Sequence, residues 1–386
     1  MKILAVGGGS GGHVTPVVAV CREIRRIQPE ADLYFWCDRK FSPSAKDIFA
    51  AFDTSIPVDV IMSGKLRRYH GMSKLHILHP SILFPNLIDM IKVGCGFVQS
   101  FFKLMALRPD VIFTKGGYVC LPVGYAAKVL NIPLVIHDSD AHPGLTNRLL
   151  SPFAVAIGTG APLEYYKYPP EKTRYVGIPV AAEFRKYSDD ERRKFKSKLG
   201  FDPDKPLVVV TGGGLGAKKI NNAVMQSKDE LLSETSIFLI SGKLQYDELE
   251  AKSDDRPGWK LKAFIHEGMF EVLAAADIVV ARAGATTLLE LAALHKPTII
   301  IPNGNLTAGH QLKNAKVYQD ALAAVVLTEE EIEKNPEALT GKVVSLLKAS
   351  KIRKGLGDNF GKFAKPNAAS DMADIIITTI RRQGRR

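Results

Sequence analysis

Two stretches of this chain, about two hundred residues apart, share one design. MKILAVGGGSGGHVTPVVAV (1–20) and KPLVVVTGGGLGAKKINNAV (205–224) each run from a short apolar segment through a glycine cluster into apolar residues at helical spacing. A strand that turns through glycines into a helix has no antiparallel hairpin partner. Each unit reads as strand, glycine loop and helix, the opening of an α/β layer structure. The segments that follow agree. ADLYFWCD (31–38), PDVIFTKGG (109–117) and IPLVIHDSD (132–140) come after the first unit; TSIFLISG (235–242), DIVVARAG (277–284) and KPTIIIPNG (296–304) come after the second. Each is a continuous apolar run, as expected of strands buried on both faces of a parallel sheet, and helical stretches alternate with them. The fold class is therefore α/β, with two doubly wound, Rossmann-like domains facing across a cleft. A length of 386 residues suits two domains better than one. The expected limits are 1–178 for the N-terminal domain, 179–200 for a charged linker, and 201–365 for the C-terminal domain. Residues 366–386 form a last helix and basic tail, with AASDMADIIITTIRR long enough to pack back across the domains.

Charge and cysteine usage narrow the partners. The net charge of +12 points to an anionic one: nucleic acid, a phosphorylated substrate or a membrane surface. No nucleic-acid motif is present, so nucleic acid is not expected. Four cysteines (Cys21, Cys37, Cys95 and Cys120) form no CxxC pair and suit a reducing compartment. The opening MKILAV is too short for a signal peptide, and no stretch has the roughly 18 uninterrupted apolar residues of a spanning helix. A cytoplasmic protein is expected.

A glycine turn between strand and helix lets backbone N–H groups approach a phosphate, and the helix N-terminus adds partial positive charge. Gly7, Gly9 and Gly12 match GxGxxG, with Asp38 closing the next strand where a ribose contact belongs. That pattern admits a nicotinamide-dependent oxidoreductase, or glycines that serve packing alone. The second glycine loop, at 212–216, weighs against the oxidoreductase, because two loops on two domains suit the joining of two substrates. In ARAGATTLLELAALHKPTIIIP (281–302), Gly284 follows a strand, Thr286 and Thr287 can cap the next helix, and Glu290 sits about one turn inside it. A carboxylate there can accept both hydroxyls of a ribose, or can serve as a capping acid at the helix start.

The order of GGGSGGHVTP, SGKLRRY, KGGYVCLPV, HDSDAHPGLTNR, TGGGLGAKKIN, RAGATTLLELAALHKP and HQLKNA resembles that of the MurG family. These are the peptidoglycan N-acetylglucosaminyltransferases that make lipid II, and the resemblance covers roughly residues 1–330. It implies glycosyltransferase-B architecture, without cofactor or metal, and an inverting transfer of N-acetylglucosamine from UDP-N-acetylglucosamine. The acceptor would be the 4-hydroxyl of the muramyl sugar on an undecaprenyl pyrophosphate, the lipid I to lipid II step. Carried over residue by residue, Ser10, Gly11 and Gly12 line the donor–acceptor cleft, with Asp140 at the donor sugar and Asn147 also in the substrate-binding set. Gly214 lies beside the diphosphate and Ile265 near the uracil. Gly284, Ala285, Thr286, Thr287, Leu288 and Leu289 surround the diphosphate and ribose. Glu290 takes the ribose hydroxyls, and Gln311 contacts the donor sugar. Three positions depart from the family pattern: Ala181 for an arginine, Gly214 for a serine, and Asp138 for a glutamate. Arg185 is the nearest cation to Ala181.

His13, on the first turn after the glycines, is the candidate general base. A phosphate-contact, positioning or loop-holding role is the alternative, and a helix N-terminus favours the neutral imidazole a base requires. His137 and Asp138 are competing candidates, or a strand-end pair that shapes its loop. Residues 61–108 carry seven Lys/Arg and one acidic residue, Asp89, interleaved with apolar side chains. That mixture suits either core packing or a peripheral contact with an anionic membrane at its cytoplasmic face, where the resemblance places a membrane-facing patch. A transferase for another polyprenyl or glycolipid acceptor and a non-catalytic nucleotide-sugar-binding subunit are the remaining readings.

Overall fold

The computed structural model describes residues 1–8, 11–65, 79–140, 143–213, 216–265, 267–304, 310–335 and 337–383, with the backbone alone for His13 and His310. Residues 1–181 contain strands β1 (Lys2–Val6), β2 (Asp32–Cys37), β3 (Val58–Val60), β4 (Val111–Thr114), β5 (Leu134–Asp138), β6 (Ala156–Thr159) and β7 (Thr173–Tyr175). Their helices are α1 (Gly11–Ile27), α2 (Ser42–Ala50), α3 (Pro80–Leu107), α4 (Cys120–Val129) and α5 (Leu145–Leu150). Residues 182–364 contain helices α6 (Asp189–Lys198), α7 (Lys218–Gln226), α8 (Lys228–Glu234), α9 (Tyr246–Glu250), α10 (Met269–Ala275) and α11 (Ala285–Ala293). The series continues with α12 (His310–Asp320), α13 (Glu329–Lys334), α14 (Glu337–Lys348) and α15 (Ser350–Gly361). The strands among them are β8 (Leu207–Thr211), β9 (Ser236–Ile240), β10 (Trp259–Lys262), β11 (Ile278–Ala281), β12 (Thr298–Ile300) and β13 (Val325–Val326). The last helix is α16 (Ala368–Gln383).

Both sheets are wholly parallel. The first has strand order β3-β2-β1-β4-β5-β6-β7 and the second β10-β9-β8-β11-β12-β13. The order reverses beside β1 in the first and beside β8 in the second, and open α/β sheets bind ligands outside the carboxyl ends of the strands at that point. Val6 pairs with Thr114, and Thr211 with Ala281, so the two loops flanking each reversal leave the sheet level with one another. β1 shows why its strand is apolar throughout. Ile3 and Ala5 join a core with Val14, Val17 and Cys21 of α1, while Leu4 and Val6 join the opposite one with Leu104, Val119 and Val123.

The chain divides into two compact units, Met1–Ala181 with Lys365–Arg386, and Ala182–Ala364. Within the stretch expected as a linker, residues 182–200 belong to the second unit. Ser188 and Glu191 form a capping box that starts α6, and Asp277 anchors the helix through Arg192 (2.8 Å) and Lys196 (2.7 Å). Burial alone would raise the Asp277 pKa. The Lys196 ammonium, the Leu207 N–H and Arg192 hold it below the usual carboxylate value instead. α16 packs against α1 in the first unit, with Met372, Ala373, Ile375 and Ile376 in its core. Gly158 of β6 makes room for it, because a Cβ there would strike the Met372 sulfur.

α3 has no uninterrupted run of 18 apolar residues, yet by overall length and composition it is long and apolar enough to cross a membrane. One side of it is nevertheless committed to the protein. Asp89, Gly96, Ser100 and Leu104 are buried, the Met62 N–H donates to Gln99 Oε1 (2.8 Å), and Gln99 Nε2 donates to the Val60 carbonyl (3.0 Å). A Cβ on Gly96 would collide with the Met62 carbonyl, so the helix lies directly on the 60–64 segment.

Candidate active site

In the first unit the loops after β1 and β4 cross at the reversal. A Cβ on Gly117, whose φ is +92°, would come within 2.7 Å of the Gly8 carbonyl oxygen, and one on Gly8 would run into the Asp38 carboxylate. Asp38 itself is 3% exposed. Its Oδ1 accepts the Lys40 and Phe41 N–H groups (3.1 and 3.2 Å), and the Tyr118 hydroxyl is a further partner. The acid of the dinucleotide pattern thus closes the turn into α2 and is not presented to a ribose, which removes the basis for the oxidoreductase reading. Gly11, Gly12 and the His13 backbone form the start of α1, while Ser10 and the His13 side chain lie outside the described residues.

The carboxyl end of β5 gathers the other expected residues of this unit. Asp138 is buried and its Oδ2 accepts the Tyr168 hydroxyl (2.7 Å). Burial pushes its pKa up to about 7, against the Tyr168 and Asn147 hydrogen bonds and the Lys115 charge, which pull down. Asn147, on α5, reaches the His137 carbonyl at 3.5 Å, and its buried Oδ1 has no partner among the described residues. The Asp140 carbonyl accepts the Tyr166 hydroxyl (2.7 Å). His137 is fully buried and donates from Nε2 to the Gly177 carbonyl (2.7 Å). Burial and the Lys115 charge push its pKa well below the usual value, so it is a neutral residue that braces its strand end and not an accessible base.

In the second unit, Gly213 (φ +79°) and Gly216 (φ +80°) turn β8 into α7. Gly214 lies outside the described residues. On the far side of the reversal, Gly284 precedes α11 with extended backbone. The first-turn N–H groups of Ala285, Thr286 and Thr287 therefore face outward from the helix start, where an anion is favoured. Leu288 and Leu289 are buried and seat the helix. Glu290 is the sixth residue of α11, beyond the first turn, so it does not cap the helix. It keeps partial exposure, and burial, the sole cause, pushes its carboxyl up to about 8.

The loop before α11 is locked from two sides. Asn314 Nδ2 of α12 donates to the Ala283 carbonyl (3.1 Å), and Arg282 donates to the Ile301 carbonyl (3.0 Å) while pairing with Glu329 (2.5 Å). Gln311 Oε1 accepts the Asn303 N–H (2.8 Å), which fixes that amide at the end of β12. Ile265 follows β10, half-buried at the sheet edge. Arg185 is the nearest cation to Ala181 in the sequence. It pairs with Glu191 (2.8 Å) in the first turn of α6 and stacks over Tyr187 (4.1 Å), just before that helix.

Lys115, Tyr168, Arg282 and Asn314 were not singled out in the sequence. The lysine stands in full view at the end of VIFTK, and a charge directly after a buried strand was the available signal. The others act through partners 19 or more residues away and leave no local mark.

Two wholly parallel sheets, each with a glycine turn at its reversal, define a protein of two Rossmann-like units, a class that holds nucleotide ligands at those turns. The models for the glycosyltransferase family 28 N-terminal domain and C-terminal domain match residues 3–159 and 207–372. A UDP-N-acetylglucosamine--N-acetylmuramyl-(pentapeptide) pyrophosphoryl-undecaprenol N-acetylglucosamine transferase of Clostridium kluyveri is 35% identical, over 89% of this chain and 91% of its own. The Clostridium perfringens protein of the same name is 34% identical, over 92% and 96%. The crystal structure of Acinetobacter baumannii MurG superposes with a TM-score of 0.69 at 24% identity, covering 98% of this chain and 99% of that one. This chain belongs to glycosyltransferase family 28 and, within it, to the family of these N-acetylglucosamine transferases.

Proposed function

We propose that this chain transfers N-acetylglucosamine from UDP-N-acetylglucosamine to the 4-hydroxyl of the muramyl sugar of undecaprenyl-pyrophosphoryl-MurNAc-pentapeptide, with inversion and without a metal. The observation that carries the reading is the pairing of family membership over most of the chain with a phosphate-suited helix start at each sheet reversal. In this reading the 7–12 loop receives the acceptor, and His13 takes the proton as the 4-hydroxyl oxygen attacks the anomeric carbon. The bond to the diphosphate oxygen breaks, and charge developing on UDP is met by N–H groups of the Gly214 and Gly284 loops. Asp140, Asn147 and Gln311 hold the sugars, Ile265 packs on the uracil, and Glu290 accepts the ribose hydroxyls. Incubation with UDP-N-acetylglucosamine and a lipid I analogue in excess EDTA should yield the disaccharide product by mass. No product, with or without added magnesium or manganese, would overturn it.

The same proposal has the enzyme work on the cytoplasmic face of the membrane as a peripheral protein. Phe84, Ile88, Ile91, Cys95, Val98, Phe102 and Met105 recur every three or four residues along α3, all exposed, with Phe84 at 62%. At 1.5 Å per residue that stripe is roughly 30 Å long. Lys65 is exposed nearby in sequence, while Arg67, Arg68 and Lys74 lie outside the described residues. An apolar stripe flanked by cations suits the headgroup boundary of an anionic leaflet, where each Lys or Arg adds about 1 kcal/mol. Two variants, Ile88→Glu with Ile91→Glu, and Lys65, Arg67, Arg68 and Lys74→Glu together, are expected to lose cosedimentation with anionic vesicles while keeping their affinity for UDP. Equal binding of the wild type to neutral and anionic vesicles at low salt would refute the electrostatic part.

A further inference from the structure

Lys115 follows β4 with only 1% of its surface exposed. Its backbone N–H donates to the Val6 carbonyl (3.0 Å), and its ammonium donates to Ser139 Oγ in the turn after β5. The side chain thus bridges the end of the strand beside the reversal to Asp138–Ser139–Asp140. Taking an ammonium out of water costs several kcal/mol, and an apolar side chain would fill the same space without that cost. None of the roles proposed above uses this cation.

The groups around it are few. β5 and its turn contribute His137, Asp138 and Asp140, and α4 contributes the Cys120 thiol. α5 contributes Asn147, and the 166–168 stretch contributes Tyr166 and Tyr168, with Arg148 acting on Tyr168. Among the described residues, Lys115 is the cation acting on Asp138, while Asp140 is the anion acting against its ionisation. Burial pushes the lysine down to about 8, and Asp140 and Asp138 pull it back up. The ammonium and the Asp138 carboxylate thus stabilise each other in their charged forms.

Building on the transferase reading, we propose that Lys115 is a positioning residue for transfer. Its buried ammonium, anchored on Ser139, holds the Asp138–Ser139–Asp140 turn and supplies the counter-charge that keeps Asp138 ionised during turnover. The sign follows from charge alone. Removing the cation makes Asp138 harder to ionise; with a charged Asp138 holding the turn for transfer, the acid limb it adds to the rate profile, beside that of His13, moves to higher pH.

The test is the pH dependence of kcat/KM, with UDP-N-acetylglucosamine and a lipid I analogue, for wild type, Lys115→Met and Lys115→Arg. The Met variant should show an acid limb about one unit higher. For a group that titrates near 7 that corresponds to about a fivefold loss at pH 7, recovered to within about threefold of wild type at pH 9. The Arg variant, which keeps the charge, should keep the wild-type limb, and UDP affinity by calorimetry should be unchanged in both. If the Met variant does not fold, Lys115→Gln keeps a polar head for Ser139 and should show the same shift. A wild-type limb in the neutral variants, or a loss equal at every pH, would overturn the proposal. A wild type that makes no product at any pH would instead overturn the transferase reading, and this proposal with it.

Discussion

His13→Ala is expected to lower kcat by about 10²-fold or more, with KM for UDP-N-acetylglucosamine little changed. The backbone of α1 begins at Gly11, directly after the β1 loop at the sheet reversal, so His13 belongs to the first turn of the helix. The positive end of a helix disfavours an imidazolium, which suits a histidine of the first turn to the part of a base. Two competitors are weakened by their surroundings. His137 is fully buried with Nε2 committed to the Gly177 carbonyl, and Asp138 is buried with Oδ2 committed to Tyr168. Steady-state kinetics that vary donor and acceptor separately decide the role. A loss confined to the acceptor KM would make His13 a phosphate contact, and wild-type rates would leave it only a part of the scaffold.

Glu290→Ala is expected to weaken UDP binding by about 1–3 kcal/mol, roughly 5- to 150-fold in Kd, because a charged hydrogen-bond acceptor is lost. The fold should survive, since Leu288, Leu289, Leu291 and Ala292 seat α11 and Glu290 is only partly covered. With no compensating cation among the described residues, the burial of this carboxyl suits the proposed diol contact, in which two hydroxyl donors would offset the cost of its charge. Calorimetry with 2′-deoxy-UDP separates ribose recognition from general electrostatics. The wild type should bind it more weakly than UDP, and the variant should bind the two alike. A variant with unchanged affinity for UDP would remove Glu290 from the site.

The central strands of both sheets were legible as apolar runs: β1, β2, β4 and β5 in the first, β8, β9, β11 and β12 in the second. The strands that were not legible are β3, β6, β7, β10 and β13, of two to four residues each. Segments such as VDV, TRY and WKLK lie at or near sheet edges, where one face stays open and no apolar run is required. The charged stretch 182–200 read as a connection because α6 is held by ion pairs to Asp277, and its composition does not distinguish a docked polar helix from a solvated linker.

By itself, then, the sequence determined the fold class, the duplicated strand–glycine–helix design and the motifs that carry the family, because all of these depend on residues adjacent in the chain. Only the tertiary structure decided what each polar group faces. It turned Asp38 inward onto the α2 turn, placed Glu290 beyond the helix start where capping ends, returned α16 to the first unit, and brought Lys115 to Ser139 from 24 residues away. The physical reason is that burial and charge pairing act through space: the same carboxylate or ammonium is a surface group or a buried one according to partners that the local sequence does not contain.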